Sequence, residues 1–464
     1  MKKLFLLFLA VQLLNACQTG DQKDAGNDAR LAFHKWAPTP PMGWNSWDCY
    51  GPTVVEAEVK ANADYMADNL KKLGWNYIVV DIRWYVETDK SGGYNEDDPR
   101  FVMDEYGRLT PALNRFPSAA DGKGFKPLSD YVHGRGLKFG IHVMRGVPVI
   151  AVRINTPILG SDARAQDIYS PEGQCTWLRD MYTIMDGKPG AQEYYNSLFQ
   201  LYSSWGVDFV KVDDLSGRTK EIEMIRKAID NCGRPIVISI SPGGDKPETA
   251  AFLKNNVNMW RTSNDFWDNW SQLKNQFAIL EKWVGLGAPG CWPDGDMLPL
   301  GRIGLRAERG EPRWSGFTKD EQYTLMTLFS IFRSPLMFGG DLPGNDEFTL
   351  SLITNKDVLN VNQHSTNGKQ LFSKDDLIAW TADDPKTGDK YLALFNASDQ
   401  KLFTRDPARP EPGAAAEITV RFEELGLTGT HRVKDLWTGK KLGKFQDTFS
   451  ATINRHGAGL YRIH

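Results

Sequence analysis

Charged side chains at the end of an apolar strand are the first residues in this sequence that could do chemistry. The segment WGVDFVKVDDLSG, residues 205–217, reads as a buried strand from Val207 that ends in two adjacent carboxylates, Asp213 and Asp214. Charges are rarely buried without a partner or a task. Because successive strand residues face opposite ways, Lys211 shares its face with Asp213 and not with Asp214. The pattern predicts a functional carboxylate at Asp213, with Asp214 as the alternative that more simply caps the following turn.

Seven further segments read as strands with polar ends, and helical stretches separate them. These segments are residues 41–47, 75–84, 137–144, 235–243, 257–265, 287–296 and 334–342. Apolar strands that alternate with helices are typical of parallel sheets, and eight such units predict an α/β fold of the (β/α)8 TIM-barrel type. In that fold the residues that do chemistry lie at the carboxyl ends of the strands. The side chains at or just after these ends include Trp47, Asp48, Asp81, His142, Arg145, Lys211, Asp213, Ser239, Ser241, Arg261, Asp265, Asp294, Asp296 and Asp341.

The residue types at this barrel mouth favour carboxylate chemistry. The seven histidines are scattered and the cysteines form no CxxC pair, so we expect neither a metal site nor a cofactor. Neither a GxSxG motif nor a phosphate-binding glycine loop occurs. Two acids can hydrolyse a glycosidic bond, one as an ionised nucleophile and the other as an acid that later acts as a base. An isomerase or aldolase on the same barrel is an alternative, but only Lys211 would suit it.

Six motifs resemble those of glycoside hydrolase family 27, in the same order, over roughly residues 38–366. They are TPPMGWNSW, FVKVDD, WRTSND, WPDGDML, SPLMFGGDL and NKDVLNVNQ. The family includes α-galactosidases, α-N-acetylgalactosaminidases and β-L-arabinopyranosidases. The resemblance implies a retaining exo-glycosidase that removes terminal α-D-galactopyranosyl or the equivalent β-L-arabinopyranosyl residues, and a carbohydrate substrate such as plant-type or host glycan side chains.

The resemblance also implies roles for single residues. Asp213 matches the nucleophile and Asp265 the acid/base, and a retaining pair has its carboxyl groups about 5–5.5 Å apart. Lys211 and Arg261 are expected to lower the pKa of Asp213, whereas Asp265 needs a raised pKa to donate a proton. The expected substrate-binding residues are Trp47, Asp81, Ile82, His142, Lys211, Ser241 and Arg261. Asp294 and Asp296 match a turn that we expect to hold the barrel mouth, with a direct part in the site as the alternative.

Ile82 is a departure that bears on the sugar. Many α-galactosidases have a second aspartate there, which reaches the C6 hydroxyl group. An isoleucine cannot accept that hydrogen bond, and a buried hydroxyl left unpaired costs about 1–3 kcal/mol. β-L-Arabinopyranose is α-D-galactopyranose without its CH2OH group, so Ile82 favours an arabinopyranosidase. The alternative is an α-galactosidase that reaches O6 with another group, such as Arg83 or a loop residue.

Further alternatives depend on other positions. Ser241 stands where α-galactosidases often have a glutamate, and the space it leaves suits an α-N-acetylgalactosaminidase. A non-catalytic glycan-binding lipoprotein is the last alternative, against which the presence of both Asp213 and Asp265 argues. Residues 145–185 form a long insertion after the third strand, of the kind that shapes access to a barrel mouth. Leu215 replaces a cysteine of the family's usual disulfide, and the cysteines beyond the N-terminal segment allow three pairings or free thiols.

The N-terminal segment MKKLFLLFLAVQLLNAC predicts an exported lipoprotein. It has a basic start, an apolar run too short to span a bilayer, and Cys17 in a setting like that of a lipobox. We expect a signal peptide over residues 1–16, a flexible tether over residues 17–36, and a lipid on Cys17 that anchors the chain at the bacterial cell envelope, on the periplasmic face or at the cell surface. An ordinary signal peptide is the alternative. The net charge of −3 favours neither nucleic acid nor direct binding to a membrane surface.

The pattern of apolar and polar residues changes near residue 367. Short alternating runs separated by turns follow, such as LIAWTA, KYLALFNAS and AAEITVRF. This pattern predicts an antiparallel β-sandwich over residues 367–464, after a catalytic barrel over residues 37–366.

Overall fold

The structure, a computed structural model, describes residues 29–90, 98–307, 309–399 and 415–464. The expected signal peptide, Cys17 and the first part of the expected tether lie outside the described residues. Ala29–Trp36 form a 3-10 helix in which Phe33 is buried. The guanidinium carbon of Arg226 lies 4.6 Å from the centre of the Phe33 ring. The last residues of the expected tether thus form a helix whose Phe33 side chain packs against Arg226 of the barrel.

Eight parallel strands form a curled sheet that closes on itself. They are β1 (Met42–Asn45), β2 (Tyr77–Val80), β3 (Lys138–Met144), β4 (Phe209–Asp213), β5 (Val237–Ile240), β6 (Met259–Arg261), β7 (Trp292–Asp294) and β8 (Leu336–Phe338). Neighbours pair in sequence order, and β1 also pairs with β8. Leu298, just after β7, closes the ring: its N–H donates to the carbonyl of Met337 at 2.8 Å, and its carbonyl accepts from Gly339 N–H at 2.9 Å. The predicted (β/α)8 barrel is confirmed.

The helices lie between the strands and after β8. Their bounds are α1 (Glu56–Asn69), α2 (Lys126–Gly134), α3 (Ala191–Ser204), α4 (Thr219–Asn231), α5 (Ala250–Lys254), α6 (Trp270–Glu281), α7 (Lys319–Phe332), α8 (Glu347–Thr354) and α9 (Lys356–His364). A 3-10 turn, Lys71–Leu73, follows α1 and ends at Gly74, whose φ of 100° is left-handed and suits glycine. Thr318 starts α7 with a reciprocal pair of hydrogen bonds to Glu321.

Alternation along the strands decides which side chains reach the barrel mouth. The barrel interior contains Tyr77 and Val79 of β2, Phe209 of β4 and Val237 of β5. Because side chains alternate with a period of two, the same inward face continues toward the carboxyl ends of the strands. The next inward positions are Asp81, Lys211, Asp213, Ser239, Ser241, Arg261 and Asp294. The strands thus deliver polar groups to the mouth from an otherwise apolar interior.

The insertion after β3 is a folded unit. It contains three short strands, Val147–Pro148, Tyr169–Ser170 and Met181–Ile184, and two short helices, Val149–Ile154 and Ala165–Ile168. The strands form an antiparallel sheet with Met181–Ile184 in the centre. The insertion that the sequence marks over residues 145–185 is therefore an ordered wall beside the barrel mouth.

The C-terminal region is an antiparallel β-sandwich, as predicted. Its strands are β9 (Thr366–Lys374), β10 (Leu377–Asp383), β11 (Lys390–Asn396), β12 (Ala416–Arg421), β13 (Thr430–Asp435), β14 (Lys441–Gln446), β15 (Thr448–Ile453) and β16 (Ala458–Ile463). Six of them form one sheet in the order β9-β10-β11-β16-β13-β14, and β12 pairs with β15. The sandwich packs against α6 and α7, where Trp270 and His456 stack with ring centres 3.6 Å apart. This contact fixes the sandwich against the barrel.

The fold answers the question of cysteine pairing that the sequence left open. The four cysteines in the described ranges, Cys49, Cys175, Cys232 and Cys291, are free thiols. Within those ranges the chain has no helix that combines the length and the apolarity needed to cross a bilayer.

Candidate active site

A cavity of about 390 Å³ opens at the carboxyl ends of the barrel strands. Four of the inward-facing polar residues of the strands line it, namely Asp81, Lys211, Asp213 and Arg261. Eight of the nine predicted site residues line it, namely Trp47, Asp81, Ile82, His142, Lys211, Asp213, Arg261 and Asp265. The remaining lining residues are Asp48, Trp177, Pro242, Asn264, Phe266, Trp267, Asp296, Met297 and Arg309.

Ser241 is the predicted site residue that does not line the cavity. It is buried, and its hydroxyl has no hydrogen-bond partner within the described parts of the chain. The next residue, Pro242, forms the cavity wall instead. The cavity lining gives no support to a contact between Ser241 and the substrate, and that contact stays a prediction.

Asp213 has hydrogen-bonding neighbours from the adjacent strand β3 and from the residue directly after its own strand β4. Its Oδ2 is 3.1 Å from Nε2 of His142, and its Oδ1 accepts the backbone N–H of Asp214 at 2.8 Å. Burial would raise the pKa of Asp213, but the hydrogen bond and charge of His142 and the charge of Lys211 hold it well below its ordinary value. The carboxylate is thus kept ionised, which a nucleophile requires.

Lys211 connects Asp213 to the end of β2. Its Nζ donates to Oδ2 of Asp81 at 3.1 Å, and the same oxygen accepts from Nδ2 of Asn45 at 2.8 Å. Burial would raise the pKa of Asp81, but His142 and Lys211 lower it. Burial would lower the pKa of Lys211, and the charges of Asp81 and Asp213 raise it instead. Two carboxylates and one ammonium group therefore share the inner end of the cavity.

Arg261 forms its ion pairs with two acids other than Asp213. Its Nη2 lies 2.8 Å from Oδ2 of Asp296 and 3.2 Å from Oδ1 of Asp265. The group that complements Lys211 beside Asp213 is His142. Arg261 lies beside β7 and faces the acids that follow β6 and β7. The charge of Asp213 is also among those that raise the pKa of Arg261. The expectation that Arg261 helps to keep Asp213 ionised stays a prediction.

Asp265 is an exposed polar group at the mouth. Its side chain is 59% exposed, whereas that of Asp213 is 14% exposed. The backbone around it is braced by Asp296, whose Oδ2 accepts the N–H of Phe266 at 2.8 Å. The contacts of Asp296 agree with a role in holding the barrel mouth. The protonation state and the carboxyl separation expected for Asp265 stay predictions.

Three further acids are buried at or beside the mouth. Burial, followed by the charge of Asp296, raises the pKa of Asp48 well above its ordinary value and that of Asp294 to about 7. Burial also raises the pKa of Asp296, although Arg261 opposes the rise. Asp48 fits because Gly339 lacks a side chain: a Cβ at that glycine would lie 1.9 Å from Oδ2 of Asp48. Burial thus disfavours the charged form of all three acids, and the ion pair with Arg261 opposes this effect at Asp296.

Asp214, the alternative nucleophile, faces away from the cavity. Its φ of 55° lies in the left-handed region, so the chain leaves β4 in a sharp turn. Its carboxylate forms an ion pair with Arg145, with 2.7 Å between Oδ2 and Nη2. The expectation that Asp214 lies off the catalytic face agrees with this position, and its carboxylate contacts Arg145 rather than a following helix end.

After β2, the apolar side chain of Ile82 lines the cavity and the charged side chain of Arg83 lies outside it. Ile82 is 2% exposed and forms part of the cavity wall. The next side chain, Arg83, is fully buried outside the cavity, where its Nε and Nη2 donate to the two carboxylate oxygens of Asp180 at 2.9 Å each. Arg83 therefore belongs to the contact between β2 and the insertion.

Trp177 is the main lining residue that sequence reasoning missed. It lies in the insertion and is 37% exposed. The sequence marks the insertion by its length alone, and its lack of periodicity hides which residue reaches the cavity. In the described parts of the chain there is no group of three His, Cys, Asp or Glu side chains arranged to hold a metal ion.

Two family models match this chain. One described as α-galactosidase A matches residues 177–364, and one described as the α-galactosidase C-terminal β-sandwich domain matches residues 374–463. Among curated relatives, α-galactosidase A of Cellvibrio japonicus is 30% identical over 78% of this chain and 75% of its own length. α-Galactosidase 2 of Arabidopsis thaliana is 28% identical over 92% of this chain and 90% of its own length.

A solved structure is more similar still. The crystal structure of a β-L-arabinopyranosidase of glycoside hydrolase family 27 from Geobacillus stearothermophilus is 50% identical to this chain. The match covers 93% of this chain and 97% of that one, with a TM-score of 0.88.

Proposed function

Since the chain belongs to glycoside hydrolase family 27, the α-galactosidase family, and is a glycosidase, we propose that it is a retaining exo-β-L-arabinopyranosidase. The observation that carries the proposal is that Asp213, Asp265 and the apolar side chain of Ile82 all line one cavity. The paired acids support the reaction, and Ile82 supports the choice of sugar.

In the first step Asp213 attacks the anomeric carbon. Its carboxylate oxygen forms a bond to C1 while the bond from C1 to the glycosidic oxygen breaks. Asp265 donates its proton to that oxygen, and the leaving group departs as an alcohol. The contacts of His142 and Lys211 suit Asp213 to this role because they keep it ionised.

In the second step the ester between the sugar and Asp213 is hydrolysed. Asp265, now a carboxylate, removes a proton from water as the water oxygen attacks C1, and Asp213 leaves as a carboxylate. Two inversions at C1 retain its configuration. The exposure of Asp265 supports this exchange of roles because both the leaving group and the water reach it from the open side of the cavity.

The wall at Ile82 supports a sugar without a CH2OH group. Ile82 offers no hydrogen bond, and a galactose O6 buried there without a partner would cost about 1–3 kcal/mol. Arg83, the group through which an α-galactosidase could have reached O6, is committed to Asp180 on the far side of that wall. The 50% identity to a β-L-arabinopyranosidase agrees with this choice.

α-Galactosidase activity is the second candidate, because the curated relatives quoted above are α-galactosidases. An α-N-acetylgalactosaminidase is less well supported, since its argument depended on space at Ser241. Ser241 is buried and does not line the cavity, whereas Pro242 does.

Rates on three aryl glycosides test the proposal. The substrates are the β-L-arabinopyranoside, the α-D-galactoside and the α-N-acetylgalactosaminide of one phenol. We expect kcat/KM to be highest for the arabinopyranoside, by at least about fivefold, from the lower limit of the cost of an unpaired hydroxyl. An equal or higher value for the galactoside contradicts the choice of sugar, and no turnover of any of the three contradicts the enzyme.

We also propose that the chain is a lipoprotein of the bacterial envelope, anchored through Cys17. The lipobox-like LLNAC motif supports this. Labelling of cells with a radioactive fatty acid should mark the protein, and Cys17→Ser should abolish the label. A label that persists in the variant, or no label in the wild type, would exclude the anchor.

A further inference from the structure

Trp177 lies at the open side of the cavity, on the insertion rather than on a barrel strand. We propose that its ring forms an aglycone subsite that binds the second sugar of a saccharide, the one that leaves. The inference rests on the proposed function and adds to it the class of leaving group: a carbohydrate ring whose apolar face stacks on an indole.

The exposure of the lining residues shows which part of the cavity takes the leaving group. Asp81, Ile82 and His142 are each at most 2% exposed, so they form the closed end of the cavity. Asp265 and Trp177 are 59% and 37% exposed, so they form the open end. An exo-glycosidase holds the terminal sugar at its closed end, and the rest of the glycan leaves through the open end. Trp177 therefore lines the part of the cavity through which the leaving sugar passes.

The exposed indole ring at this position offers an apolar face that a sugar ring can cover better than water can. The aromatic face is apolar and large, and ligand sites in proteins commonly combine such faces with a few polar groups. A pyranose ring presents C–H groups on one face and hydroxyl groups at its edge. Arg309 also lines the cavity, and its guanidinium carbon lies 5.4 Å from the centre of the Trp267 ring.

The residues around Trp177 are fixed before any ligand arrives. Cys175, Leu178 and Asp180 are each at most 5% exposed, so the exposed indole stands on a buried support. Asp180 holds the segment on one side through its two-oxygen contact with Arg83 and through the hydroxyl of Tyr85, at 2.8 Å. A ring that is already positioned loses little conformational entropy on binding.

A second anchor joins the insertion to the turn after the proposed nucleophile. Arg145 donates from Nη2 to the carbonyl of Gly173 at 2.5 Å and forms ion pairs with Asp214 and Glu221. The wall that carries Trp177 is thus bound to both ends of the reaction site, next to Ile82 at β2 and next to Asp213 at β4. This connection makes Trp177 part of the site rather than part of a separate surface.

Two substrates with one glycone and different leaving groups test the subsite. One is the glycosyl fluoride, whose leaving group cannot reach Trp177. The other is a disaccharide in which the same terminal sugar is joined to galactose. The variants are Trp177→Ala, Trp177→Phe, and Trp314→Ala as a control, since Trp314 is 44% exposed on a hairpin and does not line the cavity.

We expect Trp177→Ala to lower kcat/KM about tenfold for the disaccharide and less than about twofold for the fluoride. Trp177→Phe should recover most of the loss because a flat aromatic face remains, and Trp314→Ala should match the wild type with both substrates. An equal loss with both substrates, or no loss with the disaccharide, overturns the subsite. If the wild-type enzyme hydrolyses neither substrate, the proposed function fails, and that result is distinct from failure of the subsite.

Discussion

Nε2 of His142 lies 3.1 Å from Oδ2 of Asp213, so the proposed nucleophile receives a hydrogen bond from the neighbouring barrel strand. The strand register explains the contact. His142 on β3 is the pairing partner of Lys211 on β4, and Asp213 follows Lys211 on the same inward face. The imidazole and the ammonium group therefore flank one carboxylate at the closed end of the cavity.

Removal of this hydrogen bond should move the acid limb of the pH profile. Asp213 must be ionised to attack, so activity falls as the pH falls through its pKa. His142→Leu removes a donor to a charged group, worth about 1.5–3 kcal/mol, and should raise the pKa of Asp213 by about one to two pH units. The acid limb of kcat/KM should move to higher pH by the same amount. A matched control is His133→Gln, which alters a histidine that contacts Asp208 outside the cavity. An unchanged acid limb in His142→Leu would show that this hydrogen bond does not govern Asp213.

Ile82→Asp should shift the sugar preference toward α-D-galactoside. The new carboxylate can accept the hydrogen bond of O6, which is worth about 1–3 kcal/mol, or roughly five- to 150-fold in relative kcat/KM. Ile82→Leu keeps the wall apolar and should keep the arabinopyranoside preference. The measurement is the ratio of kcat/KM for the two aryl glycosides. No change of the ratio in Ile82→Asp would disprove the argument from C6.

The buried acid Asp294 should make the protein less stable as the pH rises toward 7. Burial and the charge of Asp296 raise its pKa from 3.8 to about 7, so between these values the folded chain binds more protons than the unfolded chain. The free energy of unfolding should therefore fall between about pH 4 and pH 7, by at most ~4 kcal/mol from this residue. Asp213, whose pKa is lowered, acts in the opposite sense only below about pH 4.

Asp294→Asn removes that titration and keeps an oxygen for the N–H of Asp296, which lies 2.9 Å from Oδ1. Urea unfolding at pH 5 and pH 8 should give a smaller difference in the variant than in the wild type. Part of the difference should remain because the pKa values of Asp48 and Asp296 are raised as well. The exposed Asp121→Asn serves as the control. A difference as large in Asp294→Asn as in the wild type would argue against a buried neutral Asp294.

The contact between Arg83 and Asp180 should carry much of the stability of the insertion. Asp180→Asn leaves the fully buried guanidinium of Arg83 without its main counter-charge, and the loss of one partner of a buried pair costs about 3–5 kcal/mol. We expect the lower end of that range because Arg83 also lies 3.5 Å from Asp89. Asp186→Asn, at an exposed position directly after the insertion, should change stability by less than about 0.5 kcal/mol. A loss below about 1 kcal/mol in Asp180→Asn would show that the pair contributes little.

The positions that sequence reasoning placed correctly are those set by strand periodicity. Apolar runs located all eight barrel strands, and the period of two placed Lys211 and Asp213 on one face, with Asp214 off it. The polar strands β9 and β14 escaped prediction because none of their residues is fully buried and they do not alternate in hydrophobicity.

Other contacts and positions at the barrel mouth depend on information that periodicity does not contain. Which acid faces Arg261 follows from the pairing of β6 with β7, where Asp294 is the partner of Arg261, and from the path of the loop that brings Asp296 back. Ser241 has the inward parity, yet the next residue, Pro242, lines the cavity and Ser241 does not. Trp177 comes from an insertion whose position over the mouth is set by ion pairs between distant residues.

Covalent trapping tests the central claim most directly, because it asks which atom of the protein bonds to the sugar. The enzyme is incubated with a fluorinated, activated β-L-arabinopyranosyl fluoride that forms the glycosyl-enzyme faster than water removes it, and the labelled peptide is sequenced by mass spectrometry. We predict one sugar per chain on Asp213, no label in Asp213→Asn, and full labelling in Asp214→Asn. A sugar on Asp214 or on any other residue, or labelling that persists in Asp213→Asn, would contradict the account.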